Sequence, residues 1–173
     1  METVQGPDMS REARLTVMVR QYEKDLLRMC CVYLRDITLA QDAVQDTFLK
    51  AYQAMASFRG EASEKTWLMT IAMNVCRDYR RSAWHRYVDR RVNLDSLPLP
   101  VSPPKAEHID LTGQIMRLPR KHMEAVLLYY YQNLNIREIA QIMGVTPSAV
   151  SNRLVKARKL LGSALKGGER HEP

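Results

Sequence analysis

Apolar residues recur along this chain at intervals of three and four over long windows, and the strict alternation of a half-buried strand is scarce. Leu15, Met18, Tyr22, Leu26, Met29 and Tyr33 form one such stripe and predict a first helix over about 11–34. Asp36-Ile37-Thr38 interrupts it. Thr38 and Gln41 have the spacing of a capping box, so a second helix is predicted from Thr38. Its apolar face is Leu39, Ala43, Val44, Thr47, Phe48, Ala51 and Met55, which leaves Gln41, Asp42, Gln45, Asp46 and Lys50 on the other side. Arg59-Gly60-Glu61-Ala62-Ser63 breaks that helix, and Ser63 is placed to cap a third. Trp67, Leu68, Ile71, Ala72, Val75 and Tyr79 give the third helix its stripe, to about Arg81 or a little beyond.

Pro98, Pro100, Pro103 and Pro104 then fall within seven positions, where a helix cannot continue and extended backbone is favoured. Periodicity resumes near Ile109 and runs to about Leu165. The pattern therefore predicts an all-α chain of two small helical domains, 1–92 and 109–173, joined by a proline-rich linker at 93–108.

The stretch from Ile136 to Leu154 carries the most specific signal. Ala140 is small where two helices cross closely, and Gly144 can take the left-handed backbone that leaves a helix. Thr146 is an N-cap followed by Pro147, which is tolerated at a first helical position because its missing amide has no helical partner there. These landmarks predict a helix-turn-helix with a second helix over about 147–161. Val150, Leu154, Ala157 and Leu161 turn inward, and Ser148, Ser151, Asn152, Arg153, Lys156 and Lys159 are free to meet bases and phosphates. A plain αα-hairpin would have no reason for this order of small, glycine and cap positions.

Charge sharpens that picture. The chain of 173 residues has a formal net charge of +7, and residues 118–173 carry +5 of it. From Ile139 to Gly168 there is no acidic residue, while Arg153, Lys156, Arg158, Lys159 and Lys166 fall inside, so an anionic partner is expected for this end. Cys30, Cys31 and Cys76 have no metal-ligand spacing, which fits a reducing cytoplasm and packing thiols at Cys30 and Cys76. No secretory leader and no run of 18 apolar residues is present, so no membrane insertion is expected. His85, His108, His122 and His171 lie in no HExxH pattern, and no glycine-rich phosphate loop occurs. No catalytic residue, metal or cofactor is expected.

A helix-turn-helix alone suggests a repressor or activator, but the N-terminal block carries more. Ala40-Gln41-Asp42-Ala43-Val44-Gln45-Asp46-Thr47-Phe48-Leu49-Lys50-Ala51-Tyr52 resembles the polymerase-binding helix of the sigma-70 family, in its extracytoplasmic-function branch. Phe58-Arg59-Gly60-Glu61 and the run from Thr66 to Arg81 resemble the element that opens and reads the minus-10 box. Leu118-Pro119-Arg120, Ala125 to Tyr131 and the helix-turn-helix are similar to the domain that reads the minus-35 box. Together these motifs cover most of residues 10–165, in family order.

The resemblance implies a non-enzymatic initiation factor that partners the clamp helices and flap of core RNA polymerase, promoter DNA and an anti-sigma protein. It implies polymerase contacts at Asp42, Gln45, Asp46 and Leu49. Minus-10 contacts fall at Phe58, Asn74, Arg77, Asp78, Arg80 and Arg81, with the five helical residues sharing an exposed face. Minus-35 contacts fall at Thr146, Ser148, Ser151, Asn152, Arg153 and Lys156. Phe58 reads equally as a core anchor or a base-stacking platform, and Trp67 reads as core. The chain departs from the family at Ser151, where lysine or arginine is common, and at Arg35-Asp36, where a glycine often precedes the second helix. A helix-turn-helix regulator acting without polymerase is the alternative, and it would have no use for the polar face at Asp42, Gln45 and Asp46.

Overall fold

The structure is a computed structural model that describes residues 9–87 and 106–168, with side chains within 9–82 and 111–163. Among the described residues every regular element is helical. The first three are α1 (Arg11–Leu34), α2 (Ile37–Ala54) and α3 (Glu64–Tyr87), with a short 3₁₀ turn at Met55–Ser57. After these come α4 (Ala106–Arg117), α5 (Arg120–Val126), α6 (Ile136–Met143) and α7 (Pro147–Gly168). A π-helical turn at Leu127–Tyr131 prolongs α5. The proline cluster lies outside the described residues, and residues 106–108, assigned to the linker above, open α4.

Local chemistry sets most of the helix ends. The Ser10 hydroxyl accepts from the Ala13 amide at 3.2 Å, which starts α1. Ser63 does the same for α3 by accepting from the Thr66 amide at 3.1 Å. The capping box expected at Thr38 and Gln41 does not form. Asp36 caps α2 instead, accepting from the Leu39 amide at 2.9 Å, and the helix begins at Ile37. An aspartate ahead of Thr38 supplies a stronger acceptor, and its negative charge sits at the positive end of the helix dipole. A true capping box forms at α6, where Asn135 accepts from the Glu138 amide and the Glu138 carboxylate accepts from the Asn135 amide.

Arg35 ends α1 in the left-handed region, at φ 58°. A residue with a Cβ is strained there by about 1–2 kcal/mol, and burial together with Arg80 and Arg117 also depresses the Arg35 guanidinium pKa. Arg35→Gly is therefore expected to stabilise the protein by up to about 1 kcal/mol after glycine's extra unfolded-state entropy is deducted. A thermal melt should show a Tm rise of about 2–4 °C, and a fall would mean that the arginine side chain contributes more than the strain costs.

The N-terminal core joins much of the predicted stripes, although Trp67, Ile71 and Tyr79 of α3 are only half-buried and Met69 and Met73, outside the predicted stripe, are fully buried. Ala43, Val44, Thr47, Phe48, Ala51 and Met55 of the α2 region are buried against Met18, Leu26 and Met29 of α1 and Leu68, Met69, Ala72 and Met73 of α3. Flexible methionines fill the irregular space between crossing helices. Cys30 and Cys76 are buried with their sulfurs 3.4 Å apart, and the hydrogen bond between them and burial push the Cys30 pKa up. Trp67 is half-buried, its ring tilted 39° against that of Phe58 with the centres 4.9 Å apart. In the C-terminal domain, Met123, Ala125, Val126, Leu127 and Leu128 pack on Ile139, Ala140 and Ile142 and on Val150, Leu154 and Ala157 of α7. Leu161 is half-buried at the edge.

The two domains also pack on each other, with α3 against α6 and α1 against α4 and the π-helical turn. Buried Gln132 links them: its side-chain amide donates to the Asp25 main-chain carbonyl at 3.0 Å, and its main-chain carbonyl accepts from the Lys65 ammonium. Thr66 donates across the same seam to Glu138 at 3.4 Å.

Candidate nucleic-acid and polymerase interface

Helical spacing puts Asp42, Gln45, Asp46 and Leu49 on one face of α2, at i, i+3, i+4 and i+7. Asp42 and Gln45 are exposed, and Leu49 is 54% exposed, a large apolar side chain left without cover. Asp46 is half-buried and accepts a 2.5 Å hydrogen bond from the Tyr79 hydroxyl of α3. Burial and that carboxylate push the Tyr79 pKa up to about 12, so the phenol remains a donor at neutral pH. Asp46 thus ties α2 to α3 as well as facing outward.

The expected exposed face of α3 divides in two. Asn74, Asp78 and Arg81 are exposed, the last two joined by an ion pair at 3.0 Å. Arg77 and Arg80 are half-buried at the seam between the domains, contrary to the expectation that all five residues share one exposed face. Arg77 forks onto the Glu124 carboxylate of α5, with Nε to Oε1 at 3.1 Å and Nη2 to Oε2 at 3.0 Å. The hydrogen bond to Glu124 raises the Arg77 pKa against the opposing effect of burial. Arg80 lies over the Tyr33 ring, 5.4 Å from its centre, and its Nη1 is buried without a hydrogen-bond partner. Arg77 is covered because it reaches α5 at Glu124, and Arg80 because it lies against Tyr33 of α1.

Phe58 sits between Trp67 and the Arg14 guanidinium, which is 5.2 Å from its ring centre. Both contacts hold it as an anchor in this arrangement.

The helix-turn-helix follows its sequence closely. Gly144 takes φ 65° at the end of α6, and Thr146 caps α7 by accepting from the Ala149 amide at 3.2 Å. Ser148, Asn152 and Lys156 are exposed on α7, and Ser151 is half-buried. Arg153 is half-buried as well, with its guanidinium 3.8 Å from the Met143 sulfur, so Ser151 and Arg153 depart from the expectation that they stand free, Arg153 because it folds back on α6. Arg158 turns away to Tyr130, donating to its hydroxyl at 2.9 Å, and so leaves the reading face.

His122 was not singled out by the sequence as part of this surface. It is half-buried on α5, and after burial it is Lys156 and Arg153 that lower its pKa, which places all three side chains in one basic region. Nothing in local spacing brings α5 to α7, so no sequence signal marks it. Among the described residues no cluster of three or more His, Cys, Asp or Glu side chains could hold a metal ion.

Residues 18–86 match the family described as Sigma-70 region 2, and residues 108–161 match Sigma-70, region 4. The chain is 30% identical to the RNA polymerase sigma factor YlaC of Bacillus subtilis, over 82% of this chain and 86% of that one. It is also 30% identical to the ECF RNA polymerase sigma factor SigM of Mycobacterium tuberculosis, over 86% of this chain and 75% of that one. Among solved structures it resembles the sigma factor RpoE of Bartonella quintana, crystallised with the anti-sigma factor NepR, with a TM-score of 0.73, 22% identity, and coverage of 90% and 96%. The two matched regions, in order on one chain, and relatives of this identity over most of their length establish that the chain belongs to the sigma-70 family of RNA polymerase sigma factors, in its extracytoplasmic-function branch.

Proposed function

We propose that this chain is a promoter-specificity subunit that binds core RNA polymerase through Asp42, Gln45, Asp46 and Leu49 and touches promoter DNA with both domains. The observation that carries the reading is the pairing, on one chain, of an exposed acidic and apolar α2 face with a capped helix-turn-helix whose reading helix is free of acidic residues. Residues 1–92 act as the polymerase-binding and minus-10 unit, and residues 109–173 as the minus-35 unit. Asn74, Arg77, Asp78, Arg80 and Arg81 meet the opened minus-10 strand, and Ser148, Ser151, Asn152, Arg153 and Lys156 meet the minus-35 duplex beyond the cap at Thr146. The chain has no catalytic step of its own and works in the cytoplasm, under control of an anti-sigma protein. Among the described residues no helix is long and apolar enough to cross a membrane.

Run-off transcription with purified core polymerase over a promoter library tests this. A stoichiometric complex that starts transcripts at defined sites is the expected result. DNA binding by the chain without complex formation would favour a regulator that acts alone.

The α7 contacts separate by type. Lys156→Ala is expected to weaken every minus-35 variant alike and to reduce the salt slope by about one unit, because an exposed ammonium meets phosphate. Asn152→Ala is expected to cost about 1–3 kcal/mol on the preferred sequence and to flatten the preference at one or two base pairs. A binding series over all single-base variants at two salt concentrations distinguishes the patterns. If Asn152→Ala weakens all sequences equally, base reading belongs to Ser148 and Ser151.

A further inference from the structure

The loop that joins the 3₁₀ turn to α3 runs from Phe58 to Ser63, and one arginine touches both of its ends. At the near end the Arg14 guanidinium of α1 lies over the Phe58 ring, 5.2 Å from its centre. At the far end it meets Glu64 in the first turn of α3, with Nε 2.9 Å and Nη2 2.8 Å from Oε2. The side chains of this pair are 31% and 29% exposed, so water screens the contact less than it screens a surface ion pair. Burial and the Glu64 carboxylate raise the Tyr22 pKa, so a second α1 side chain borders the same acid. Between the two anchors Arg59, Gly60 and Glu61 are exposed, with Gly60 turning the backbone at φ 72°.

Arginine suits this double contact. Its flat face meets an aromatic ring while its N–H groups, in the same plane, reach a carboxylate. An ammonium is a compact point charge without that face. A loop is also a less precise scaffold than a helix, and a tie to α1 at both ends lends it the rigidity of α1.

We infer that Arg14 is a positioning residue of the minus-10 unit: by tying Phe58 to Glu64 it fixes the span of the loop, so that Arg59 and Glu61 present their polar groups to an unpaired base of the opened strand. The inference rests on the promoter-binding reading above. An unpaired base is recognised by hydrogen bonds along its edges, and these require donors and acceptors held at a set spacing. Arg14 acts through the loop and makes no DNA contact of its own.

The test uses holoenzyme assembled from the full chain and purified core polymerase, on promoters that differ by single bases across the minus-10 element. Measurements are made at a temperature where circular dichroism shows every variant folded. The readout is discrimination, the ratio of open-complex formation on the preferred base to that on the others. Arg14→Lys keeps a positive charge beside Glu64 and gives up the flat face over Phe58. It is expected to lower discrimination at one position by up to about fivefold, the worth of one cation–π contact, and to leave the other positions unchanged. Glu64→Gln keeps the face and weakens the second anchor, and is expected to lower the ratio at the same position. Trp67 gives a signature in the free chain: with Trp84→Phe as background it is the only tryptophan, and its emission is expected to shift to the red in Arg14→Lys as Phe58 moves away.

A purely structural role would slow open-complex formation on every promoter alike and leave the ratio intact, which would overturn the inference. A red shift with an unchanged ratio would overturn it as well, because Arg14 would then hold Phe58 without placing the reading groups. Replacing Arg59 and Glu61 together by alanine tests the reading underneath. If that variant keeps the parent's discrimination at every position, the loop does not read the strand, and the minus-10 assignment of the loop fails together with the inference.

Discussion

Asp42→Lys is expected to weaken assembly with core polymerase by at least tenfold while leaving the melting temperature within about 2 °C of the parent. Asp42 is exposed on α2, so its replacement leaves the buried face of the helix intact. The effect arises across the interface, where a lysine meets a basic partner, and like charges juxtaposed in a complex cost several kcal/mol. Asp46→Lys should lose as much binding but is a poorer probe. It also breaks the 2.5 Å bond from Tyr79 and sets an ammonium at a half-buried position, so part of its effect is loss of the α2–α3 contact. Tyr79→Phe separates the two contributions: it removes the hydroxyl, keeps the Asp46 charge, and is expected to lower stability with polymerase binding retained. Native gel shift or size-exclusion titration against core polymerase reads the outcome. Normal assembly by Asp42→Lys would move the interface off this face.

The second large effect is on stability. Leu154→Ala is expected to cost about 2–5 kcal/mol, because the side chain is 2% exposed and its removal leaves a cavity between α7 and the helices beneath it. Against a total stability of about 5–15 kcal/mol this is enough to populate unfolded C-terminal domain near body temperature. Val155, the next residue, is 45% exposed, and Val155→Ala should stay within about 0.5 kcal/mol. Urea unfolding followed by circular dichroism compares them, and equal midpoints would mean that α7 is not packed by this face. Loss of minus-35 binding by Leu154→Ala should follow its stability, and low temperature should restore it, whereas Asn152→Ala should lose specificity at every temperature.

The dependence on range explains what could be read in advance. Helix caps and stripes are interactions over three to seven residues, so Ser63, Thr146 and the inward series Val150, Leu154 and Ala157 behave in the structure as local rules require. Where two local rules competed, as at Asp36 and Thr38, the better acceptor won and the cap moved two residues upstream. The polar face of α2 was legible for the same reason. The bond from Tyr79 to Asp46 was not, since it spans 33 positions between two helices.

By itself, then, the sequence determined the helices, most of their buried positions, the turn at Gly144 and the exposure of Ser148, Asn152 and Lys156 on α7, all of which follow from periods and caps within a few turns of chain. Only the tertiary structure decided which side of α3 is covered. Arg77 and Arg80 have the same local environment as Asn74 and Arg81 in the linear pattern, and Glu124 reads as an ordinary acid one turn after Arg120. Their fates separate because the second domain packs on one side of α3 and buries Glu124 there, 47 positions from Arg77 and 91 from Tyr33. A buried carboxylate must find charged or hydrogen-bonding partners wherever the fold supplies them, and partners that far apart in sequence leave no trace in any local period.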